Sequence, residues 1–348
     1  MRILYVAMKY DYGEPTRGHS FEHTNFYDTL VHMGHDILYF DFMALLQQHG
    51  RETMNHLLRD VARTEKPDLL FSVLHADELD PAVIQEISQS ETRTLNWFCD
   101  DHWRFEHFSS VWAPRYNWVV TTTASAVPRY EAMGYRTAIK SQWACNPFLY
   151  KPLNLPLLHQ VTFVGQVHGN RKDILEALAK ANCPVKAWGL GWPNGRLPQD
   201  EMIRVFNQSR INLNLSNAST STSNAWWRRL LRRSPEYPQQ LKGRDFEVTG
   251  CGGFLLTGRV EGLDEYYDDG KEVVCYGALS DLADKAYYYL THDSERAAIA
   301  RAGYERTRRE HTYVHRFSDI FQTIGFSHES ADTLLAQSAR AGSTQEIL

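Results

Sequence analysis

Between Leu241 and Thr257 the chain reads LKGRDFEVTGCGGFLLT, a stretch that gathers groups able to hold an anion. Lys242 and Arg244 open a helical pattern that carries Phe246 and Val248. The pattern breaks at Gly250, Gly252 and Gly253, and Phe254-Leu255-Leu256 follows as a short buried strand. A helix start with cations and free backbone N–H groups is an anion site. One turn in, the carboxylate of Glu247 is placed to accept two hydrogen bonds from a ribose diol. These groups suffice to hold a nucleoside diphosphate without a metal ion. The competing expectation is an ordinary α/β unit in which Glu247 is a solvated helix carboxylate.

Three other stretches carry chemistry. Thr94 to Phe98 predicts a strand running directly into Cys99-Asp100-Asp101-His102-Trp103. Ligands of open α/β sheets sit beyond the carboxyl ends of strands. Asp100, Asp101 and His102 are therefore candidates for acid/base work, against a plainer role as a helix cap and its solvated neighbour. Val161 to Gly165 predicts another strand, and the loop Gln166 to Lys172 leads to a helix beginning near Asp173. Strand, loop, basic residues and helix start form a phosphate-binding arrangement. Arg171 and Lys172 are its candidate cations, although two solvated charges in a first turn would read the same way and oppose the helix dipole. Finally, AWWRRLLRR at 225–233 is a basic-aromatic cluster containing Trp226, Arg228 and Arg229. It suits an anionic acceptor, a nucleic acid or a membrane surface, or an amphipathic insertion that packs its tryptophans inward.

Such groups need a framework. The length, 348 residues, predicts two domains, and 43% apolar with 12% aromatic residues can build two cores. Arg2–Met8 predicts a first parallel strand, then a loop with Gly13, Pro15 and Gly18, a helix from Ser20 to Met33, and a strand from His35 to Phe40. Further strands are expected at 68–74, 94–98, 118–122 and 138–143, with helices at 55–64, 81–88 and 127–133. Three prolines mark 146–158 as a linker. Beyond it, strands are expected at 161–165, 185–189, 211–215, 254–256 and 272–276, with helices at 199–209, 279–291 and 294–309. The division is 1–145, a linker at 146–158, 159–312, a crossover helix at 313–326 and a loose tail at 327–348. The net charge of −5 gives no global basic character that would announce nucleic acid. The five cysteines show no CxxC spacing, so neither a zinc site nor a disulfide framework is expected. The opening MRILYVAMKY is too short and too soon interrupted for a signal peptide, and no run approaches the length of a membrane span. A soluble cytoplasmic protein is the expectation.

The segment Leu241 to Arg316 resembles the C-terminal donor domain of GT-B glycosyltransferases, specifically the CgeB-like (spore-maturation type) group. KGRDFEVTGCGGFLLT, GLDEYYDDGKEVVCY, LSDLADKAYYYLTHDSERAAIARAG and HTYVHRF carry it, in the family's order and spacing over about 75 residues. WFCDDHWRF is similar to the family's DDP-type motif, with His102 in place of the proline. Retaining members of related families often carry a Glu eight residues before the ribose-binding one. Gln239 stands there, so the stereochemical outcome stays open.

The resemblance implies two doubly wound Rossmann-like α/β domains facing a cleft. It implies metal-independent, cofactor-free sugar transfer from a nucleotide sugar to an unidentified acceptor: a glycan, glycolipid, nucleic acid or small molecule. Glu247 would hold the ribose. Lys242, Gly243, Arg244 and Phe246 belong to the helix start facing the donor, as do Gly165, Gln166, Arg171 and Lys172 in the loop. Trp188 and Gly189 would line the base pocket. Asp100 or Asp101, with His102 or His19 nearby, would deprotonate or orient the acceptor, which Gly18, Trp226, Arg228 and Arg229 would help bind. The alternatives are a non-catalytic sugar- or nucleic-acid-binding module of the same fold and a nucleotide-sugar epimerase.

Overall fold

The computed structural model describes residues 1–216, 240–327 and 330–336. The chain divides into two compact units, Met1–Gln142 with the chain from Tyr313 onward, and Trp143–Thr312. Residues 146–158 thus fall in the second unit, and the helix Tyr313–Thr323 in the first.

The first unit holds β1 (Arg2–Val6), β2 (Asp36–Phe40), β3 (Leu69–Ser72), β4 (Arg93–Phe98), β5 (Trp118–Thr121) and β6 (Ala138–Lys140) in the order β2-β1-β3-β4-β5-β6. Every pairing is parallel; Ile3 lies opposite Ile37 on one side and Leu69 on the other. Parallel strands are covered on both faces, and β3 is accordingly buried throughout. Leu4, Val6, Leu70, Val83, Ile84 and Phe98 build one core layer. An aromatic layer is formed by Phe26 against Trp97 (4.8 Å) and against Tyr313 (5.0 Å). This contact seats the helix Tyr313–Thr323.

Two helices differ from expectation. The expected helix at 55–64 begins at Phe42 and runs to Glu65, with Asp41 accepting the Ala44 N–H (3.3 Å) as its cap. Gly50, at φ 78°, breaks it into two pieces, which hides the first piece from a periodicity argument. The expected helix at 20–33 contains a wide π turn, His23–Tyr27, before Asp28–His32. Ser20 caps it as expected: its Oγ accepts the His23 N–H (3.0 Å) and donates to the Met8 carbonyl (2.6 Å).

The second unit holds β7 (His159–Val164), β8 (Lys186–Trp188), β9 (Ser209–Asn214), β10 (Leu255–Gly258) and β11 (Val274–Tyr276) in the order β11-β10-β9-β7-β8, again all parallel. Both sheets are doubly wound and reverse direction once, between β1 and β3 and between β7 and β9. Such switch points open a crevice at the carboxyl ends of the strands. Among the described residues, no helix is long and apolar enough to cross a membrane.

Just beyond β8, Gly189 has φ +133°, and a Cβ there would stand 2.3 Å from the Gly165 carbonyl oxygen. The backbones leaving β7 and β8 touch at this point, so a side chain has no room and the wrong φ. Gly189→Ala should cost about 2–4 kcal/mol from overpacking and backbone strain. Urea unfolding measures it, and a loss under about 0.5 kcal/mol would show that the crossing is not tight.

Candidate functional site

In the second unit, the loop after β7 and the helix Gly243–Gly250 meet at the switch point. Arg171 is the first residue of the helix Arg171–Lys180, two positions earlier than expected, and is only 6% exposed. Its guanidinium donates to the Gln166 carbonyl (2.9 Å) and the Leu215 carbonyl (2.9 Å), and its Nε is buried without a partner among the described residues. Burial pushes its pKa down to about 10, and the nearby Arg244 adds to this. His168, in the same loop, is held down to about 4 by burial and by the charges of Arg171 and Lys242. Arg171, Lys242 and Arg244 therefore share one neighbourhood. Lys172 does not join them: it is exposed and faces Glu176 at 3.9 Å.

The carboxylates of this region are already engaged. Asp245 is fully buried, and its oxygens accept from Asn214 Nδ2 (2.7 Å), Thr257 Oγ1 (2.7 Å) and the Lys242 N–H (2.9 Å). Burial raises its pKa and these three donors oppose the rise. Asp245 thereby fixes the start of the helix that presents Gly243 and Arg244. Glu247 is 1% exposed, ion-paired with Arg244 and hydrogen-bonded to Tyr150 Oη (2.8 Å). It is not the solvated carboxylate of the plain expectation. Phe246 is buried against Tyr266, Tyr267 and His311 and supports the helix from below.

Gly165 and Gly189 shape the loop. Gly165 donates its N–H to the Trp188 carbonyl (2.8 Å), and its own carbonyl accepts the Trp192 indole N–H (2.7 Å). Trp188 itself is buried beside His159, with Lys186 over its ring, which makes it a packing residue in this structure.

In the first unit, a cavity of about 160 Å³ opens at the carboxyl ends of β1, β3 and β4, lined among others by Asp11, Tyr12, Glu22, His75, Asp100 and Arg104. Burial raises the Glu22 pKa, hydrogen bonds from its own backbone and Ser20 oppose this, and Asp11 and Asp100 push it further up. Arg104 spends its guanidinium on the His75 carbonyl (2.7 Å) and lies over the Phe108 ring at 3.9 Å.

The two adjacent aspartates part company. Asp100 faces the cavity. Asp101 is fully buried, accepts from Tyr130 Oη (2.9 Å), and has its pKa raised by burial against hydrogen bonds from Ser109, Thr121 and Tyr130. His102 and His19 are not among the cavity-lining residues. His19 instead packs against the rings of Tyr10 (5.4 Å) and His23 (4.2 Å), and burial with nearby Lys9 lowers its pKa. Gly18, at φ +82°, closes the loop by accepting the Asp11 N–H (3.0 Å). Trp226, Arg228, Arg229 and Gln239 lie outside the described residues.

Sequence reasoning missed Glu22, Asp245 and Tyr150. Glu22 and Asp245 each stand near the start of a helix, which is a usable signal. Tyr150 lies in a proline-rich stretch with nothing local to single it out.

Residues 171–322 match a family model described as glycosyl transferase-like. No curated protein sequence matches the chain. Among solved structures it is similar to Anabaena HepE in complex with UDP-glucose, at 14% identity over 99% of this chain and 100% of that one, with a TM-score of 0.59. It is also similar to sucrose-phosphate synthase from Thermosynechococcus elongatus (11% identity, 99% and 98% covered, TM-score 0.60) and to a glycosyltransferase from Rickettsia africae (11%, 94% and 99%, TM-score 0.60). The fold is GT-B. Arg171, Lys242 and Arg244 all fall within the residues that the family model matches.

The different settings of the two aspartates generate a test. Asp101→Ala strands the Tyr130 hydroxyl in the core and should cost about 1–3 kcal/mol, whereas Asp100→Ala should stay within about 0.5 kcal/mol. The raised pKa of Asp101 has a sign: its contribution to stability is present at low pH and is lost as pH rises through the raised value. Asp101→Asn, which cannot ionise, should therefore gain on the wild type between about pH 4 and 7. Urea melts at both pH values measure this, and a constant or shrinking difference would contradict it.

Proposed function

We propose that the chain transfers a glycosyl group from a nucleoside-diphosphate sugar to a hydroxyl-bearing acceptor. The observation that carries this is Arg171: a buried guanidinium that holds two carbonyls and, among the described residues, no carboxylate, beside Lys242, Arg244 and His168. A buried cation without a counter-charge is costly. An anion arriving at the switch point would supply that charge. A diphosphate fits, because the helix start at Gly243–Arg244 adds backbone N–H groups. The family match over 171–322 supports sugar transfer. HepE was solved with UDP and with UDP-glucose, so a uridine nucleotide is the first donor to test. The motif order from Leu241 to Arg316 favours the CgeB-like group as the finer assignment.

In this reading Glu247 takes the ribose diol, the Gly165–Gln166 turn lies along the phosphates, and Gly189 forms the wall near the nucleobase. Arg171, Lys242 and Arg244 stabilise the negative charge that grows on the departing diphosphate, the electrostatic contribution that usually dominates such chemistry. The acceptor oxygen bonds to the anomeric carbon as the bond to the diphosphate oxygen breaks. This reading assigns the acceptor's proton to Asp100, which lines the cavity of the first unit. Cations and amides replace a metal in this scheme. Asp11, Glu22 and Asp100 around the cavity favour an uncharged acceptor hydroxyl over an anionic one there.

Release of UDP from UDP-glucose, with a panel of hydroxyl acceptors, tests the reading. A binding module would release none, and an epimerase would convert the donor without releasing UDP. Arg171→Gln should weaken UDP binding by about ten- to hundredfold, the size of a lost charge-assisted contact, and turnover should survive excess EDTA. Unchanged UDP affinity in the variant would remove Arg171 from the site. Activity abolished by EDTA and restored by manganese would remove the metal-free scheme.

A further inference from the structure

Glu247, the group assigned to the ribose, has both carboxylate oxygens occupied. Oε2 is ion-paired with Arg244, three residues earlier on the same helix. Oε1 accepts the Tyr150 hydroxyl at 2.8 Å, and that hydroxyl in turn accepts from Gln199 Nε2 at 2.9 Å. The carboxylate is 1% exposed, so a ribose cannot reach it without displacing something. Arg244 is the movable partner: it is 28% exposed, whereas Tyr150 is buried to 1%. Its Nε donates to the Val164 carbonyl (3.2 Å), at the end of β7 and directly before the Gly165–Gln166 turn. One guanidinium thus stands between the group suited to a sugar diol and the loop suited to phosphates.

We propose that Arg244 is an exchange contact: a diphosphate draws its guanidinium away from Glu247, and this frees the carboxylate for the ribose diol. The proposal rests on the donor reading given above and adds the order of events and its consequence for specificity. A diphosphate carries more negative charge than one carboxylate and presents oxygens at several angles, so it competes for a planar five-donor guanidinium. A nucleoside without phosphates offers Arg244 nothing in return. It must break the ion pair uncompensated, in a setting where a buried charge is costly to strand. Ribose recognition is then conditional on the diphosphate, and the site rejects free nucleosides that carry the right base and sugar.

The crossed effect on two ligands distinguishes this from a fixed clamp. Uridine and UDP are titrated into the full chain by ligand-observed NMR, with the melting temperature as a check on folding. In Arg244→Gln, uridine affinity should rise about tenfold, the size of one released charge-assisted bond at 1.4 kcal/mol per decade, while UDP affinity falls. Arg244→Lys keeps a cation but loses the planar fork that holds Glu247. It should raise uridine affinity severalfold, and it keeps the test open should Arg244→Gln fail to fold. Uridine affinity that stays level or falls in the folded variants, with UDP still binding the wild type, overturns the exchange alone. A wild-type chain that binds no UDP overturns the donor reading and the exchange with it.

Discussion

Arg171 is a buried cation held by two carbonyls, and among the described residues no carboxylate pairs with it. It begins a helix, where its charge opposes the dipole, and burial pushes its pKa down to about 10. Much of the neighbouring structure keeps it there. The Gln166 and Leu215 carbonyls hold the guanidinium, Phe163 lies beneath it at 5.3 Å, and Gly165 leaves room beside it. The Gly189 crossing sets the path of the same loop. A fold held only for stability would place a carboxylate or an apolar side chain at such a position. In the proposed reading Arg171 is preorganised for a diphosphate, with its ordering entropy and desolvation already met on folding.

The two units carry opposite chemistry at their strand ends. Around the cavity of the first unit stand Asp11, Glu22 and Asp100, and the one arginine there is tied to a carbonyl and a phenyl ring. Around the β7 loop of the second unit stand Arg171, Lys242 and Arg244, and the carboxylates there are fully engaged. Under the proposed function, these charges suit a nucleoside-diphosphate donor in the second unit and an uncharged acceptor in the first.

The framework was legible because parallel strands buried on both faces read as short apolar runs. Each expected strand has a counterpart within a few residues, and the helices Pro81–Ser88 and Leu279–Thr291 fall where expected. The first half of Phe42–Glu65 was hidden by Gly50, whose φ of 78° interrupts the helical period. At the site, Arg171 and Asp100 were visible from their position at strand ends. Their neighbours Lys172 and Asp101 look equivalent in sequence, yet one step along the backbone turns each away, Lys172 to solvent and Asp101 into the core. The Tyr150–Glu247 hydrogen bond joins positions 97 residues apart, and no local pattern encodes it. Glu247 was read as a carboxylate offered to a ribose; that it is first occupied by Arg244 is a property of the folded helix start.

Hydrogen–deuterium exchange of the full chain with and without UDP tests the central claim, that the second unit holds a nucleoside diphosphate at its β7 switch point. Exchange reads the opening of local backbone hydrogen bonds, and bound phosphates suppress it at the amides they engage. The account predicts protection in peptides spanning 165–171 and 242–248, and little change at 9–19 and 99–104, which the proposal assigns to the acceptor. Protection confined to the first unit, or none at 165–171 under saturating UDP and the other common nucleoside diphosphates, would contradict it.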